Sequence, residues 1–439
     1  MIFLGILVSL IIFSILVLVH EYGHYKTARI FGIHVEEFGL GIPPRAKKLW
    51  KNKSGTLFSL NWIPLGGFVK ITGESELYFN IFDKKGARIG QNEIKSALET
   101  GRDIFDKKGQ ELKKSEKKYL LEFLKNQRPG ENFFEKNIWQ KSLVLLAGVI
   151  MNIFAAYIIF VGIFLVGAQP IGVNTIIPTQ QTSYVLPSFE QAIENGILKE
   201  EPGILLYPIE ESIAFQSGIR DGDRVISIDG LEFENIESLQ EYISSFPLTP
   251  IAFGVERDGE YIDLVVTPSS EGKIGSYLAP NIVRNEDFKY NFGFLESLKV
   301  AGEETIAQLE LGTRGIYMIL RKLIFPEVPE ERSEAIEYVA GPIGIVQVVT
   351  LSLSSGLMLL SVLAAVISIN LALFNLLPIP ALDGGRLLLL WIRTGLERIV
   401  GKNTKLIGIE NMVHVIFFIL LIALSLLIAY NDIIRIIGD

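Results

Sequence analysis

Cysteine is absent from the 439 residues. That excludes disulfides, thiolate metal ligands and a cysteine nucleophile, and it leaves the redox compartment unread. Histidine is almost as scarce, with only His20, His24, His34 and His414, so any imidazole chemistry must be built from these. An excess of positive charge is missing too: the net charge is −8, which argues against a nucleic-acid partner. Against these shortages stands an apolar content of 49% with a mean hydropathy of +0.36. This is the composition of an integral membrane protein that carries a soluble part.

The apolar residues come in runs. Ile2 to Val19 is long enough to cross a bilayer and has neither a basic leader nor an A-x-A-like cleavage site, so it is expected to remain as a transmembrane helix. Further spans are expected at Ser142–Val166, at roughly Leu353–Leu377 and at Val413–Tyr430. Lys26, Arg29, Arg45, Lys47 and Lys48 follow the first run, Lys136 and Lys141 precede the second, and Arg386, Arg393, Arg398, Lys402 and Lys405 lie between the last two. The positive-inside rule places these loops in the cytoplasm and both termini outside.

Between the spans, Thr56–Thr72 has strand-like residues broken by Pro64 and by Gly66-Gly67, the pattern of a hairpin or sheet edge. Glu74–Glu135 is charged and lysine-rich and reads as a solvated helical insertion. From Ala168 to about Ala340 acidic residues far outnumber basic ones, which is compatible with a translocated domain. There, Gly203–Ile209 and the run Phe215–Gly230 give a strand, a short helix, a turn and an alternating strand. A helix at Ile236–Phe246 and strands at Ile251–Arg257 and Tyr261–Thr267 around Asp258-Gly259 follow. This order is similar to a bacterial, permuted PDZ domain, a module that binds an extended peptide along a sheet edge.

The chemistry is announced by His20-Glu21-Tyr22-Gly23-His24 at the inner end of the first run. Residues four apart share a helix face, so His20 and His24 can hold one zinc ion with Glu21 beside it as a general base. A hydrolytic zinc site also needs a third protein ligand and room for water. His34 does not fit the metzincin spacing, which would place the ligand at Ile30. Asp383, at the inner end of the third span, is favoured, and His414 at the start of the fourth is the alternative.

The sequence resembles the site-2 protease family of intramembrane metalloproteases, in particular its bacterial RseP-type branch. The matching residues are His20–His24, Pro64–Lys70, Trp139–Asn152, the PDZ-like stretch, and Asn375-Leu-Leu-Pro378-Ile-Pro380-Ala-Leu-Asp383-Gly384, which has the family's N-x-x-P-x-P-x-x-D-G spacing. The resemblance implies zinc held by His20, His24 and Asp383, with Glu21 as general base. It implies that Asn375, Pro378 and Pro380 position an extended substrate strand, to which the Gly66-Gly67 hairpin presents an edge. Two departures stand out: one clear PDZ copy where the branch often has two, with Pro178–Lys199 as a fragment or extension, and a large cytoplasmic insertion.

The expected architecture is therefore a polytopic α-helical membrane protein with four transmembrane helices, a membrane-associated β-hairpin and an extracytoplasmic PDZ-like α+β domain. The boundaries run 1–25 (first span with HExxH), 26–73 (hairpin segment), 74–138 (charged insertion), 139–167 (second span) and 168–285 (PDZ-like domain). They continue with 286–345 (helical linker), 346–385 (third span with NxxPxPxxDG), 386–410 (cytoplasmic loop) and 411–439 (fourth span and tail). The expected activity is zinc-dependent hydrolysis of peptide bonds in or near transmembrane segments, in a bacterial cytoplasmic membrane. Anti-sigma factors and remnant signal peptides are candidate substrates, and a peptide or substrate ectodomain is the expected PDZ partner. The alternative is a catalytically silent PDZ-containing membrane receptor, which metal analysis separates from the protease.

Overall fold

The computed structural model describes residues 2–74, 81–87, 89, 91–106, 109–126, 130–177, 179–285, 287–337, 341–400 and 404–438. Parts of the anticipated insertion at 74–138, residue 178 of the anticipated extension, part of the linker, residues 401–403 of the anticipated cytoplasmic loop with Lys402, and residue 439 fall outside that set. Helix α1 covers Ile2–Ile30, so the His20–His24 motif sits inside a continuous helix and its two imidazoles share a face. The helix stops at Gly32, whose φ of +65° lets the Gly32 N–H reach the Arg29 carbonyl and the Ile33 N–H the Ala28 carbonyl at 2.8 Å. This is the double closure typical of a glycine-terminated helix.

Strands β1 (Val35–Lys51) and β2 (Leu57–Ile71) then pair antiparallel. Thr56–Thr72 is thus occupied by a single strand, and its partner is the preceding segment. Each strand bends at proline, β1 around Pro43-Pro44 and β2 around Pro64, where a missing N–H has already interrupted the ladder. The halves pair with different partners. Arg45–Lys51 lies against Leu57–Asn61, Leu57–Leu60 also against Glu37–Leu40, and Val35–Leu40 also against Gly67–Ile71.

Next come α2 (Gln91–Glu99) and α3 (Lys114–Asn126), each preceded by the same six residues, Ile-Phe-Asp-Lys-Lys-Gly, at 81–86 and 104–109. The described residues of the two copies fold alike. Asp83 Oδ1 accepts from the Ala87 N–H and Asp106 Oδ1 from the Gln110 N–H, both at 2.8 Å. Phe82 and Phe105 exchange backbone hydrogen bonds at 2.9 Å each way. A small core of Ile81, Ile94, Ala97, Ile104, Leu120 and Leu124 joins the copies. The insertion is therefore an internal duplication with its own core.

Helix α4 (Ile138–Val166) starts at a capping box between Asn137 and Gln140. Among the described residues, four helical stretches are long and apolar enough to cross a membrane: Phe3–Ile30, Ile138–Val166, Leu357–Leu376 and Met412–Tyr430. They make the chain a multi-pass membrane protein.

Contacts divide the chain into two units. One comprises Met1–Ala168, Ile177–Val185 and Asn291–Asp439, the other Gln169–Ile176 and Leu186–Tyr290. The second unit holds α5 (Phe189–Glu194), β3 (Leu198–Pro208), α6 (Ile213–Gln216), β4 (Asp223–Ile228), α7 (Ile236–Ser244), β5 (Ile251–Arg257), β6 (Glu260–Val266) and β7 (Ser276–Arg284). Its sheet is antiparallel in the order β6-β5-β4-β3-β7. Leu206, Ile219, Ile228, Leu239, Ile251 and Phe253 fill the core. The β5–β6 turn is Asp258-Gly259, both with positive φ (52° and 81°), as a two-residue hairpin requires.

In the first unit, α8 (Phe294–Ile324) packs on α4 and on α11 (Leu357–Leu376). Its buried Glu304 accepts hydrogen bonds from Ser183 Oγ, the Tyr184 N–H and Gln308 Nε2, which pins the Ile177–Val185 segment. Helices α9 (Glu330–Glu337), α10 (Pro342–Ser355), α11 (Leu357–Leu376), α12 (Asp383–Val400) and α13 (Thr404–Gly438) complete it. The anticipated third run is thus cut at Gly356, whose φ is +101°. The shorter α10 leans on α1, and its first turn is capped by Asp432 of α13 through the Gly341 and Gly344 N–H groups.

Candidate metal centre

Three helices meet at the His20–His24 motif. Helices α1 and α4 cross where side chains are smallest: a methyl group added at Gly23 would sit 2.3 Å from the Ala147 carbonyl oxygen, and one at Gly148 would sit 2.5 Å from the His20 ring. Glycine at both positions lets the α4 backbone come down onto the imidazoles. The third contribution comes from the turn Leu377–Leu382, which delivers Asp383 at the start of α12. A methyl at Gly384 or Gly385 would overlap the carbonyls of Leu376 or Ile379 at 2.1 and 2.0 Å, so the two glycines permit the tight reversal.

The resulting distances are short. His20 Nε2 lies 2.9 Å and His24 Nε2 3.2 Å from Asp383 Oδ2, and the two Nε2 atoms are 3.1 Å apart. All three side chains are largely buried. Among the described residues this is the only group of three or more His, Asp or Glu side chains placed to hold a metal ion. His34 instead bonds Thr72 Oγ1 at 3.2 Å, and His414 bonds the Pro380 backbone.

The remaining ring nitrogens fix which atoms face inward. His24 Nδ1 donates to the Val144 carbonyl at 2.7 Å, which leaves its Nε2 with a lone pair. His20 Nδ1 lies 3.4 Å from the Asn152 amide, whose Oδ1 is buried and unpartnered. Turning that amide over, a choice of atom assignment rather than of shape, lets Oδ1 accept from the Nδ1–H and satisfies both groups. Two nitrogen lone pairs and a carboxylate then point at one another within about 3 Å, an arrangement that repels itself unless a proton or a metal cation sits among them. Neutral imidazoles oriented by a carbonyl and an amide are what a zinc site needs. Asn152 is held in turn through its own carbonyl, which accepts from Ser368 Oγ of α11 at 2.8 Å.

A cavity of about 400 Å³ opens beside these atoms, lined by Glu21, Phe68, Val69, Ile71, Glu74 and Asn375 among others. Glu21 and Asn375 are thus brought to the site. Pro378 and Pro380 are not on the cavity wall; they stiffen the turn that carries Asp383. Gly66 and Gly67 are also off the wall and serve the approach of β2 to α1: a methyl on Gly66 would lie 2.9 Å from Val17, and one on Gly67 2.7 Å from Leu18. An ion pair between Glu74 and Arg386 ties the end of β2 to α12 at the rim.

Sequence alone places Val144, Gly148 and Asn152 in the second span without giving them a part in the site, and it gives none to Ser368 or Glu74. Asn152 does carry a signal, since an amide inside an apolar run has to find a buried partner.

Sequence comparison finds relatives along nearly the whole chain. The profile of peptidase family M50 matches residues 8–423. The zinc metalloprotease RasP of Geobacillus kaustophilus is 26% identical over 461 aligned positions, covering 98% of this chain and 97% of that protein. The regulator of sigma-W protease RasP of Bacillus subtilis is 28% identical, covering 98% of both. The chloroplastic membrane metalloprotease ARASP of Arabidopsis thaliana is 27% identical over 98% of this chain and 79% of its own length.

Proposed function

The chain belongs to peptidase family M50 and is an intramembrane zinc metalloprotease of the site-2 type, and we propose that His20, His24 and Asp383 hold its zinc while Glu21 is its general base. The observation that carries the assignment is the convergence of two imidazole nitrogens and one carboxylate oxygen to within 2.9–3.2 Å of one another. Zinc bound there supplies Lewis acidity, polarising the scissile carbonyl and making water acidic enough to attack near neutral pH. Glu21 accepts a proton from that water as its oxygen bonds to the carbonyl carbon, and it hands the proton to the amine nitrogen as the C–N bond breaks. Burial of the site in apolar helices keeps other water out.

A transmembrane substrate hides its peptide groups in its own helix, so a segment must unwind before it can be cut. We assign the holding of that segment to the Phe68–Ile71 edge of β2, which lines the cavity, and to the Asn375 amide, with Pro378 and Pro380 setting the turn beside it. Strand addition satisfies the exposed backbone of an unwound segment. The β1–β2 sheet, packed on α1 within the span, is read as the membrane-associated hairpin element. The five-stranded unit is read as a PDZ-like domain outside the membrane that receives a peptide or a substrate ectodomain. Lysine and arginine placement favours both termini outside a bacterial cytoplasmic membrane. An anti-sigma factor or a remnant signal peptide fits as substrate, in line with the sigma-W designation of the Bacillus subtilis relative.

The test is a pair of measurements on detergent-purified protein. The Glu21→Gln form should keep its zinc and lose cleavage of a transmembrane model substrate, and it should retain uncut membrane proteins for identification. Undiminished cleavage by that form overturns the mechanism.

A further inference from the structure

The β1–β2 sheet has two outer edges. One is Gly67–Ile71, at the cavity; the other is Arg45–Lys51, and every residue from Ile42 to Lys51 is exposed. Contacts with α1 set the depth of this outer edge. Ser14 Oγ donates to the Pro64 carbonyl at 3.2 Å, and Gly66 and Gly67 rest on Val17 and Leu18, so the bend of the sheet lies well inside the span. At the other end Asn52 Nδ2 donates to Tyr25 Oη at 3.0 Å and the Thr72 N–H to the His34 carbonyl at 3.0 Å. The Lys51–Lys53 turn is therefore level with the last turns of α1.

Side chains on the outer half sort by that depth. Near the bend, Ile42, Trp62 and Ile63 are exposed, Trp62 by 72%. Charge at the same depth is neutralised: Arg45 pairs with Glu37, which also accepts from Ser59 Oγ at 2.6 Å. Towards the end of α1 come Lys47, Lys48, Lys51 and Lys53, all exposed. Among the described residues these four form no ion pair, whereas Lys70 on β2 is paired with Glu36. Trp50 stands between them, 56% exposed and stacked on Phe58 at 4.6 Å. A surface facing water alone has no reason to run from bare isoleucine and tryptophan, through a neutralised arginine, to an aromatic set among unpaired lysines. A surface facing a bilayer has: apolar groups meet the chains, tryptophan the interface, and ammonium groups the phosphates.

We propose that Lys47, Lys48, Lys51 and Lys53, with Trp50, bind the phosphate headgroups of anionic phospholipids, and that this anchorage holds the sheet so that its opposite edge stays at the catalytic cavity. The site goes beyond the proteolytic reading and rests on one part of it, that the sheet enters the bilayer. Hydrocarbon chains and headgroup are both engaged, so the ligand is a membrane lipid rather than free phosphate.

The test uses the full-length chain in phosphatidylcholine vesicles, with Trp62, Trp139 and Trp391 replaced by phenylalanine so that Trp50 alone fluoresces. Brominated phosphatidylglycerol should quench Trp50 far more per mole than brominated phosphatidylcholine. Each Lys→Gln substitution should cut that preference, by up to roughly fivefold for a lysine close to the surface, and added salt should reduce it. The fourfold Lys→Arg form should keep it, which separates loss of charge from loss of fold, and zinc content reports folding for every variant. Cleavage should accelerate with the phosphatidylglycerol fraction in the parent chain and not in the fourfold Gln form. Quenching is read equally well in the Glu21→Gln background, so failure of the catalytic assignment leaves this result standing. Equal quenching by the two lipids, or a preference that survives all four Gln substitutions, overturns the proposal.

Discussion

Gly148 carries no functional group, yet it decides whether the histidines can meet a metal. A methyl there falls 2.5 Å from His20 and 2.6 Å from His24 Nε2, and neither ring can yield because their other nitrogens are tied to Asn152 and Val144. Gly148→Ala should therefore lose both zinc and activity, read by metal analysis of the purified chain. Asn152→Ala should be gentler, lowering zinc affinity by roughly 10–100-fold in a chelator competition while the fold persists. Asp383→Ala should strip zinc outright; full occupancy in that variant would transfer the third ligand to His414. The motif itself was plain in the sequence, since H-E-x-x-H has a fixed spacing on a helix. Gly148 was not, because a glycine in an apolar run shows its purpose only when another helix arrives.

At the scale of elements, β2 works through how closely it approaches α1. Gly67→Val would drive a side chain into Leu18 and the Gly39 carbonyl, 2.7 and 2.8 Å from the first added carbon, and displace the edge that faces the cavity. Zinc should stay, and cleavage should fall on the order of a hundredfold, the usual cost of a misplacement near 1 Å. In the five-stranded unit, burial would raise the Asp223 carboxyl. Two hydrogen bonds from Arg257 at 2.7 Å and one from the Arg220 N–H outweigh it and hold the group below its ordinary value. A carboxyl depressed in the fold stabilises fully above its unfolded pKa of about 4 and loses that contribution as pH falls through the lower folded value. Asp223→Asn should cost the unit roughly 3 kcal/mol at neutral pH, with the gap closing below about pH 4, measured by hydrogen exchange of β3–β5. The alternation that marks these strands was legible. The partner of β2 was not, because β1 hides two prolines and a basic stretch inside a strand.

Across the whole molecule, the chain leaves the membrane unit twice, briefly at Gln169–Ile176 and then for the long stretch Leu186–Tyr290. The ends of the long stretch lie close together: the rings of Tyr184 and Phe292 pack at 5.8 Å, and Glu304 accepts from the Ser183 hydroxyl and from the Tyr184 and Val185 N–H groups. Residues 186–290 can thus be excised and the ends bridged by a short linker. The shortened protein should keep its zinc and still cut a substrate with a minimal ectodomain. Binding of a substrate ectodomain, proposed for the five-stranded unit, should be lost, which a pull-down with the isolated ectodomain would read.

Sequence by itself determined the class of protein and half of its site. Four runs of apolar residues can be satisfied only as spans, and two histidines four apart on a helix can only face the same way, because both follow from local geometry. The duplicated Ile-Phe-Asp-Lys-Lys-Gly insertion was written there too, although its meaning as one small core needed the fold. Tertiary structure decided what lies across from what. It set Asp383 at 2.9 Å from His20 over 363 residues, left His414 on the Pro380 backbone, and made one bent sheet with a cavity edge and a lysine edge. No local rule encodes these, since each depends on helices and strands distant in the chain packing to within an atom's width.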